Sequence, residues 1–161
     1  MLDFEIKVIS TQDKEYAEQC YEIAKENDVS NGGNIDEADL LRKMAKYIVC
    51  AVKDDEVLGY VGMGQNFVRN VNSFIVQFAV KKEYRRQGIG SALIDYVKHH
   101  SKETRTLIIK PQKKQAESDV FFEKMGFNRF IKFGIIYYRF YTKYIENNQY
   151  LKYTEEENEL Q

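Results

Sequence analysis

Phe78-Ala79-Val80-Lys81-Lys82-Glu83-Tyr84-Arg85-Arg86-Gln87-Gly88-Ile89-Gly90-Ser91-Ala92-Leu93 is the stretch on which the reading of this chain turns. An apolar strand ends at Val80, a basic loop follows, and two glycines open an amphipathic helix. A helix N-terminus leaves backbone N–H groups unpaired and carries partial positive charge. Glycine lets the backbone come close to phosphate oxygens. Arg85 and Arg86 add attraction for an anion. A phosphate or pyrophosphate therefore suits Arg86 to Ser91. On Gly88 and Gly90 alone, a plain strand–loop–helix junction with a solvated charge run stays an equal alternative. Two nucleotide motifs fit less well. The P-loop spacing is absent, and a dinucleotide fingerprint needs a small residue where Leu93 stands.

Upstream, Phe4 to Ile9 reads as a strand, with Phe4, Ile6 and Val8 against Glu5, Lys7 and Ile9. Ser10 or Thr11 is expected to cap a helix carrying Tyr16, Cys20, Ile23 and Ala24 on one face and ending near Asn27. Asn31-Gly32-Gly33-Asn34 breaks the chain, and Asp36 starts a second helix with Leu40, Leu41 and Met44. Tyr47 to Lys53 and Val57 to Phe67 form a hairpin about Asp54-Asp55-Glu56. Glycines at 59, 62 and 64 in its second strand suggest bends, bulges or a close approach of other backbone. Ser73 to Val80, nearly all apolar, suits a central strand covered on both faces.

Downstream, Gly88 to about Glu103 is a helix with Ile89, Leu93, Tyr96, Val97 and His100 at helical spacing. Thr106 to Lys110 is a short strand stopped by Pro111. Lys114 to Met125 is a helix ended by Gly126. Phe127 to Ile131 and Ile135 to Tyr144 are strands joined at Lys132-Phe133-Gly134. The order is β-α-α-β-β-β-α-β-α-β-β. It implies an α/β, or layered α+β, fold with a mixed, mostly antiparallel central sheet flanked by helices. Residues 1–145 read as one domain, and 146–161 as a polar acidic tail.

The 161 residues suffice for a core without disulfides or metals. A net charge of −1 argues against a whole-protein field for nucleic acid. Cys20 and Cys50 read as buried small hydrophobes rather than a disulfide or metal pair, because no zinc-ligand spacing exists. The first residues do not read as a signal peptide, and no apolar run reaches the ~20 residues of a membrane span. A cytoplasmic protein is expected. His99 and His100, at the far end of their helix, read as surface or packing residues. Lys110, Lys113 and Lys114 divide evenly between phosphate contacts and solvent.

Arg85-x-x-Gly88-x-Gly90, after a strand and before a helix, resembles the acetyl-CoA signature of the GNAT acetyltransferase superfamily. Phe121-Phe122-Glu123-Lys124-Met125-Gly126-Phe127 resembles the second signature of that family. The likeness spans about Phe4 to Tyr144, and the element order agrees with it. It implies an N-acetyltransferase that moves an acetyl group from acetyl-CoA directly to a primary amine, without a metal. A non-catalytic acyl-CoA-binding sensor or partner module of the same fold is the alternative. The acceptor would be a small-molecule or peptide amine, with no nucleic acid or membrane partner, on a monomer or homodimer.

The resemblance also assigns residues. The amides of Arg86, Gln87, Gly88, Ile89, Gly90 and Ser91 would cradle the pyrophosphate, with Arg85 in the cofactor site as an attracting cation. The edge of Phe78, Ala79 and Val80 would pair with the pantetheine arm, in a gap opened by splaying from Thr106–Lys110, and an N–H at Phe78 or Ala79 would polarise the thioester. Phe121 and Phe122 of the second signature would lie along the cofactor, with Gln115 two turns earlier; Ser118, one turn before Phe122 on the same helical face, divides evenly between a cofactor contact and none. Family members often keep a tyrosine acid where Phe122 stands and an asparagine where Gln115 stands. Many carry a carboxylate base on the central strand; Ser73 to Val80 has none, only Gln77. No catalytic residue is assigned.

The missing base is the larger gap. A thiolate leaving group near pKa ~8.5 is disfavoured at neutral pH by ~2 kcal/mol at most. Freeing an amine of pKa near ~10.4 takes ~4.6 kcal/mol on the same scale. A water chain or a tyrosine among Tyr137, Tyr138 and Tyr141 is open as a substitute, each tyrosine being otherwise an ordinary strand residue. Asn27 to Asp39 and the Phe133–Tyr138 turn are expected to shape the acceptor site.

Overall fold

A computed structural model describes residues 2–26, 36–65, 72–101, 106–110 and 116–141. Eleven main elements follow in the expected order: β1 Glu5–Ile9, α1 Tyr16–Glu26, α2 Glu37–Met44, β2 Tyr47–Lys53, β3 Glu56–Gln65, β4 Asn72–Val80, α3 Ile89–His100, β5 Thr106–Ile109, α4 Ala116–Lys124, β6 Asn128–Lys132 and β7 Ile135–Tyr141. A 3-10 turn, Lys82–Tyr84, lies between β4 and α3. The class is α/β, a seven-stranded, mostly antiparallel sheet flanked by helices. The Asn31–Asn34 breaker, the Lys113, Lys114 and Gln115 positions and the 146–161 tail lie outside the described residues.

The chain packs as two compact units. The first holds the chain up to Gln65 and then Phe74–Val97. Its β1 pairs antiparallel with β2, Glu5 opposite Val52 and Ile9 opposite Ile48. β2 pairs antiparallel with β3 across a two-residue turn, Lys53 opposite Glu56. Asp54 (φ 49°) and Asp55 (φ 62°) both adopt the left-handed conformation that such a hairpin turn needs. One buried cluster joins Ala17, Cys20, Ile23 and Ala24 of α1 to Leu41 of α2 and to Ile48, Cys50 and Tyr60 of β2 and β3. The second unit takes the described residues from Lys98 onward, with β7 paired antiparallel to both β5 and β6.

Two of the features that the β3 glycines suggest occur, a bulge and a close approach of backbone. Register slips between Ala51 and Val52, so Leu58 is the extra residue of a bulge. Gly59 sits beside it, and a Cβ there would lie 2.9 Å from the Ala79 carbonyl oxygen. Any side chain at 59 would push β4 away.

Several local expectations need correction. α1 starts at Tyr16, because Asp13 accepts from the Glu15 and Tyr16 amides (3.0 and 2.8 Å). Ser10 instead accepts from the Gln12 amide in the preceding turn. In β1 the buried residue is Ile9, while Val8 is exposed. On α3, Ile94 joins Ile89, Leu93 and Val97 inside, and His100 is exposed. β4 is not apolar on two buried faces: Ser73, Ile75 and Gln77 are buried, while Phe74, Val76 and Phe78 are half-buried. The buried face thus carries two polar side chains, which must find partners.

Candidate active site

The loop after β4 is braced from three sides. The Lys81 amide donates to the carbonyl of the bulged Leu58 at 2.9 Å. The Tyr84 hydroxyl donates to Glu56 at 3.0 and 3.1 Å, and Lys81 Nζ lies 3.6 Å from the same carboxylate. That carboxylate holds the Tyr84 hydroxyl above its ordinary pKa. Arg85 Nε donates to the Val80 carbonyl at 3.0 Å. Glu56, the first residue of β3, therefore fixes where the basic turn begins, a role that no local spacing signals.

The turn itself needs unusual backbone. Arg86 (φ 63°) and Gly88 (φ 85°) both lie in the left-handed region. α3 then starts at once, with the Ala92 amide donating to the Gly88 carbonyl at 3.0 Å. Ile89 is buried and anchors the first turn; Arg85, Arg86, Gln87 and Gly88 are exposed, and Gly90 and Ser91 are half-buried. Among the described residues, chain neighbours aside, no atom lies within 4 Å of where a Gly88 Cβ would stand. The turn thus brings exposed cations and an open glycine face to a helix N-terminus, a combination suited to a phosphate group. Phe78, Ala79 and Val80 lead into it, all half-buried.

The second signature residues sit in the other unit. Ser118 and Phe121 both lie on α4, and Phe121 is half-buried. The helix closes as the sequence suggests. The Gly126 amide (φ 92°) donates to the Glu123 carbonyl at 3.0 Å, and the Phe127 amide to the Phe122 carbonyl at 2.9 Å. This is a Schellman closure, and its hydrophobic contact is the Phe122–Phe127 ring pair at 5.3 Å. Phe122 is 2% exposed and also stacks on Tyr138 at 5.7 Å. Its described contacts are those of a core ring. Phe122→Tyr should therefore cost roughly 1–3 kcal/mol, the penalty for a buried hydroxyl without a partner. Urea unfolding checks this; an unchanged midpoint would mean that the new hydroxyl has found an acceptor.

The candidate tyrosines separate clearly. Tyr137 and Tyr141 are half-buried. Tyr138 is fully buried, and its hydroxyl has no hydrogen-bond partner among the described residues. Burial first, then the nearby Asp119 carboxylate, pushes its pKa up to about 12. At neutral pH almost none of this hydroxyl is ionised, so it is scarcely available to accept a proton. His99 and His100 are exposed at the end of α3. Cys20 and Cys50 are buried, as read from the sequence, but the fold also brings their sulfurs to 3.4 Å. No group of three or more His, Cys, Asp or Glu residues that could hold a metal occurs among the described residues. No described helix is long and apolar enough to cross a membrane.

A polar cluster that the sequence did not signal crosses β3, β4 and α2. Tyr60 donates to Gln77 Oε1 at 2.9 Å. Gln77 Nε2 donates to the Glu37 carbonyl at 2.7 Å and to the Glu37 carboxylate. The partners are 17 and 40 residues apart, so no short motif could reveal them.

Residues 11–127 match the family model of the acetyltransferase (GNAT) family. No curated protein matches the sequence. Among solved structures, a protein of Desulfovibrio desulfuricans named as a GNAT-family acetyltransferase is similar at 21% identity and TM-score 0.70, over 87% of this chain and 99% of that one. The ribosomal-protein-S18-alanine N-acetyltransferase of Escherichia coli is similar at 15% identity and TM-score 0.65, over 85% and 91%. A Bacillus anthracis protein named as a streptothricin acetyltransferase, solved with acetyl coenzyme A, is similar at 24% identity and TM-score 0.53, over 59% and 62%.

Proposed function

The chain belongs to the GNAT acetyltransferase family, and from that premise we propose that it transfers an acetyl group from acetyl-CoA directly to the nitrogen of an amine. As a member of that family it is an acyltransferase enzyme. The observation that carries the finer reading is the braced turn at Arg85–Ser91, with its left-handed Arg86 and Gly88 opening α3. The residues present fit the pyrophosphate of acetyl-CoA: exposed guanidinium groups, a glycine face with open space, and a helix dipole of the right sign. The half-buried backbone of Phe78–Val80 receives the pantetheine arm, and an N–H there polarises the thioester carbonyl. A similar protein that binds acetyl coenzyme A supports the cosubstrate.

The acceptor class is narrower than the fold. Similar proteins are named for a ribosomal-protein alanine and for streptothricin, so fold alone leaves peptide and small-molecule amines open. The test is a thiol-release assay with acetyl-CoA and a panel of amines, beside calorimetry of acetyl-CoA binding. Amine-dependent thiol release is expected. Tight acetyl-CoA binding with no release on any amine would instead establish the non-catalytic acyl-CoA-binding module.

A further inference from the structure

Direct transfer needs a group to take the proton of the amine, and the following inference rests on that reading. β4 carries no acid between Asn72 and Val80. The fold nevertheless delivers a carboxylate to it. Glu37 is the first residue of α2, whose N-terminus is set by the Asp36 carboxylate accepting from the Ala38 amide at 2.9 Å. Ala38 and Leu41 bury the inner face of that helix. Glu37 itself is half-buried, and its carboxylate accepts from the Gln77 side chain.

The hydrogen bonds to Glu37 are directional. Tyr60 is 1% exposed, and burial holds its pKa far above neutrality, so its hydroxyl keeps its proton and donates. That donation fixes the Gln77 oxygen toward Tyr60 and turns the Gln77 nitrogen toward Glu37. Both contacts of that nitrogen address Glu37, one its carbonyl and one its carboxylate. An apolar residue at 77 would fill the core without needing partners. The buried amide instead specifies where one anionic group stands.

We propose that Glu37 binds the ammonium of a cationic acceptor and takes its proton, with Gln77 and Tyr60 as positioning residues. A Glu37 oxygen first takes one ammonium proton and passes it to solvent, which frees the nitrogen lone pair; as the nitrogen then forms its bond to the thioester carbonyl carbon, a second N–H proton passes to the same carboxylate. The C–S bond then breaks, CoA leaves as the thiolate, and the Glu37 proton is returned to solvent or to that sulfur. A carboxylate can accept from several donors at once, so the bond to Gln77 is compatible with an ammonium ligand. The substrate class that follows is an alkyl primary amine, charged when it binds.

Glu37→Gln keeps the shape and removes the charge. With spermidine, tobramycin and an alanine-initiated peptide as probes, kcat/KM for the accepted amine should fall by at least ~100-fold, in the range of positioned proton transfer. Acetyl-CoA affinity and the melting temperature should stay near wild type. Glu37→Asp, which restores the charge on a shorter arm, should recover part of the loss, and Tyr60→Phe should lower the same parameter less. A purely structural role would instead lower melting temperature, cofactor affinity and turnover together, and would overturn the proposal. Wild type active on one of these amines, with Glu37→Gln within threefold of it, would overturn this inference and leave amine transfer standing. Wild type releasing no thiol with any of them would overturn the amine-transfer reading and this inference with it.

Discussion

Leu41→Ala should lower the unfolding free energy by about 2–5 kcal/mol, the usual cost of emptying a buried leucine site. Leu41 is fully buried on α2 and belongs to the cluster that binds α1 and α2 to the sheet. Its Cδ1 occupies the space left by a missing side chain: a Cβ on Gly62 would lie 2.3 Å from it. Gly62→Ala alone should therefore overpack the site, at about 1–3 kcal/mol. In the Leu41→Ala background that clash is gone, and the added methyl fills part of the cavity. The double variant should be more stable than the sum of the two losses predicts, by about 0.5–3 kcal/mol. Strict additivity in urea unfolding would show that the two sites do not share this volume.

Gly88→Val should abolish most acetyl-CoA binding, with at least a tenfold loss of affinity, about 1.4 kcal/mol. Two causes act together. A β-branched residue at φ 85° is strained by roughly 1–3 kcal/mol, so the turn should relax away from its present path. The added methyls also fill the open face where phosphate oxygens would stand. Gly134 supplies the control. It too is exposed and left-handed (φ 74°), with open space around its Cβ position, but it lies in the β6–β7 turn. Gly134→Val should carry a similar backbone penalty and leave acetyl-CoA affinity unchanged in calorimetry. Equal losses for both variants would mean that general destabilisation, not the turn, explains the effect. Full affinity in a folded Gly88→Val protein would remove the pyrophosphate from this turn.

What the sequence reveals here is what is local. Hydrophobic periodicity and the punctuation at Gly88, Gly126 and Asp54-Asp55 suffice for the order of the elements. The left-handed turn that opens α3, proposed for the phosphate, is legible as a turn because its backbone demands and charges sit within a few consecutive residues. Cap choice is less legible. Ser10, Thr11 and Asp13 are all competent caps, and only the finished turn decides that Asp13 serves α1. The contacts that organise the site are distant in sequence: Glu56 with Tyr84, Gln77 with Glu37, Cys20 with Cys50. Gln77 looks like an interruption in an apolar strand until α2 and β3 are placed beside it. The expectation that residues 27–39 shape the acceptor site does contain Glu37, but nothing in that stretch singles it out.

The two thiols give the molecule a gauge of its own opening. Cys20 on α1 and Cys50 on β2 are the only cysteines in the chain, and both are wholly shielded. The contact with Cys50 and burial push the Cys20 thiol far up, so little of the reactive thiolate exists in the closed state. An alkylating reagent must wait until α1 lifts from the sheet. With reagent slow against reclosing, the labelling rate measures how often that happens, and no engineered probe is needed. A ligand that binds only the closed form slows the labelling in proportion to its occupancy, so one mass-spectrometric time course reads both local stability and cosubstrate binding.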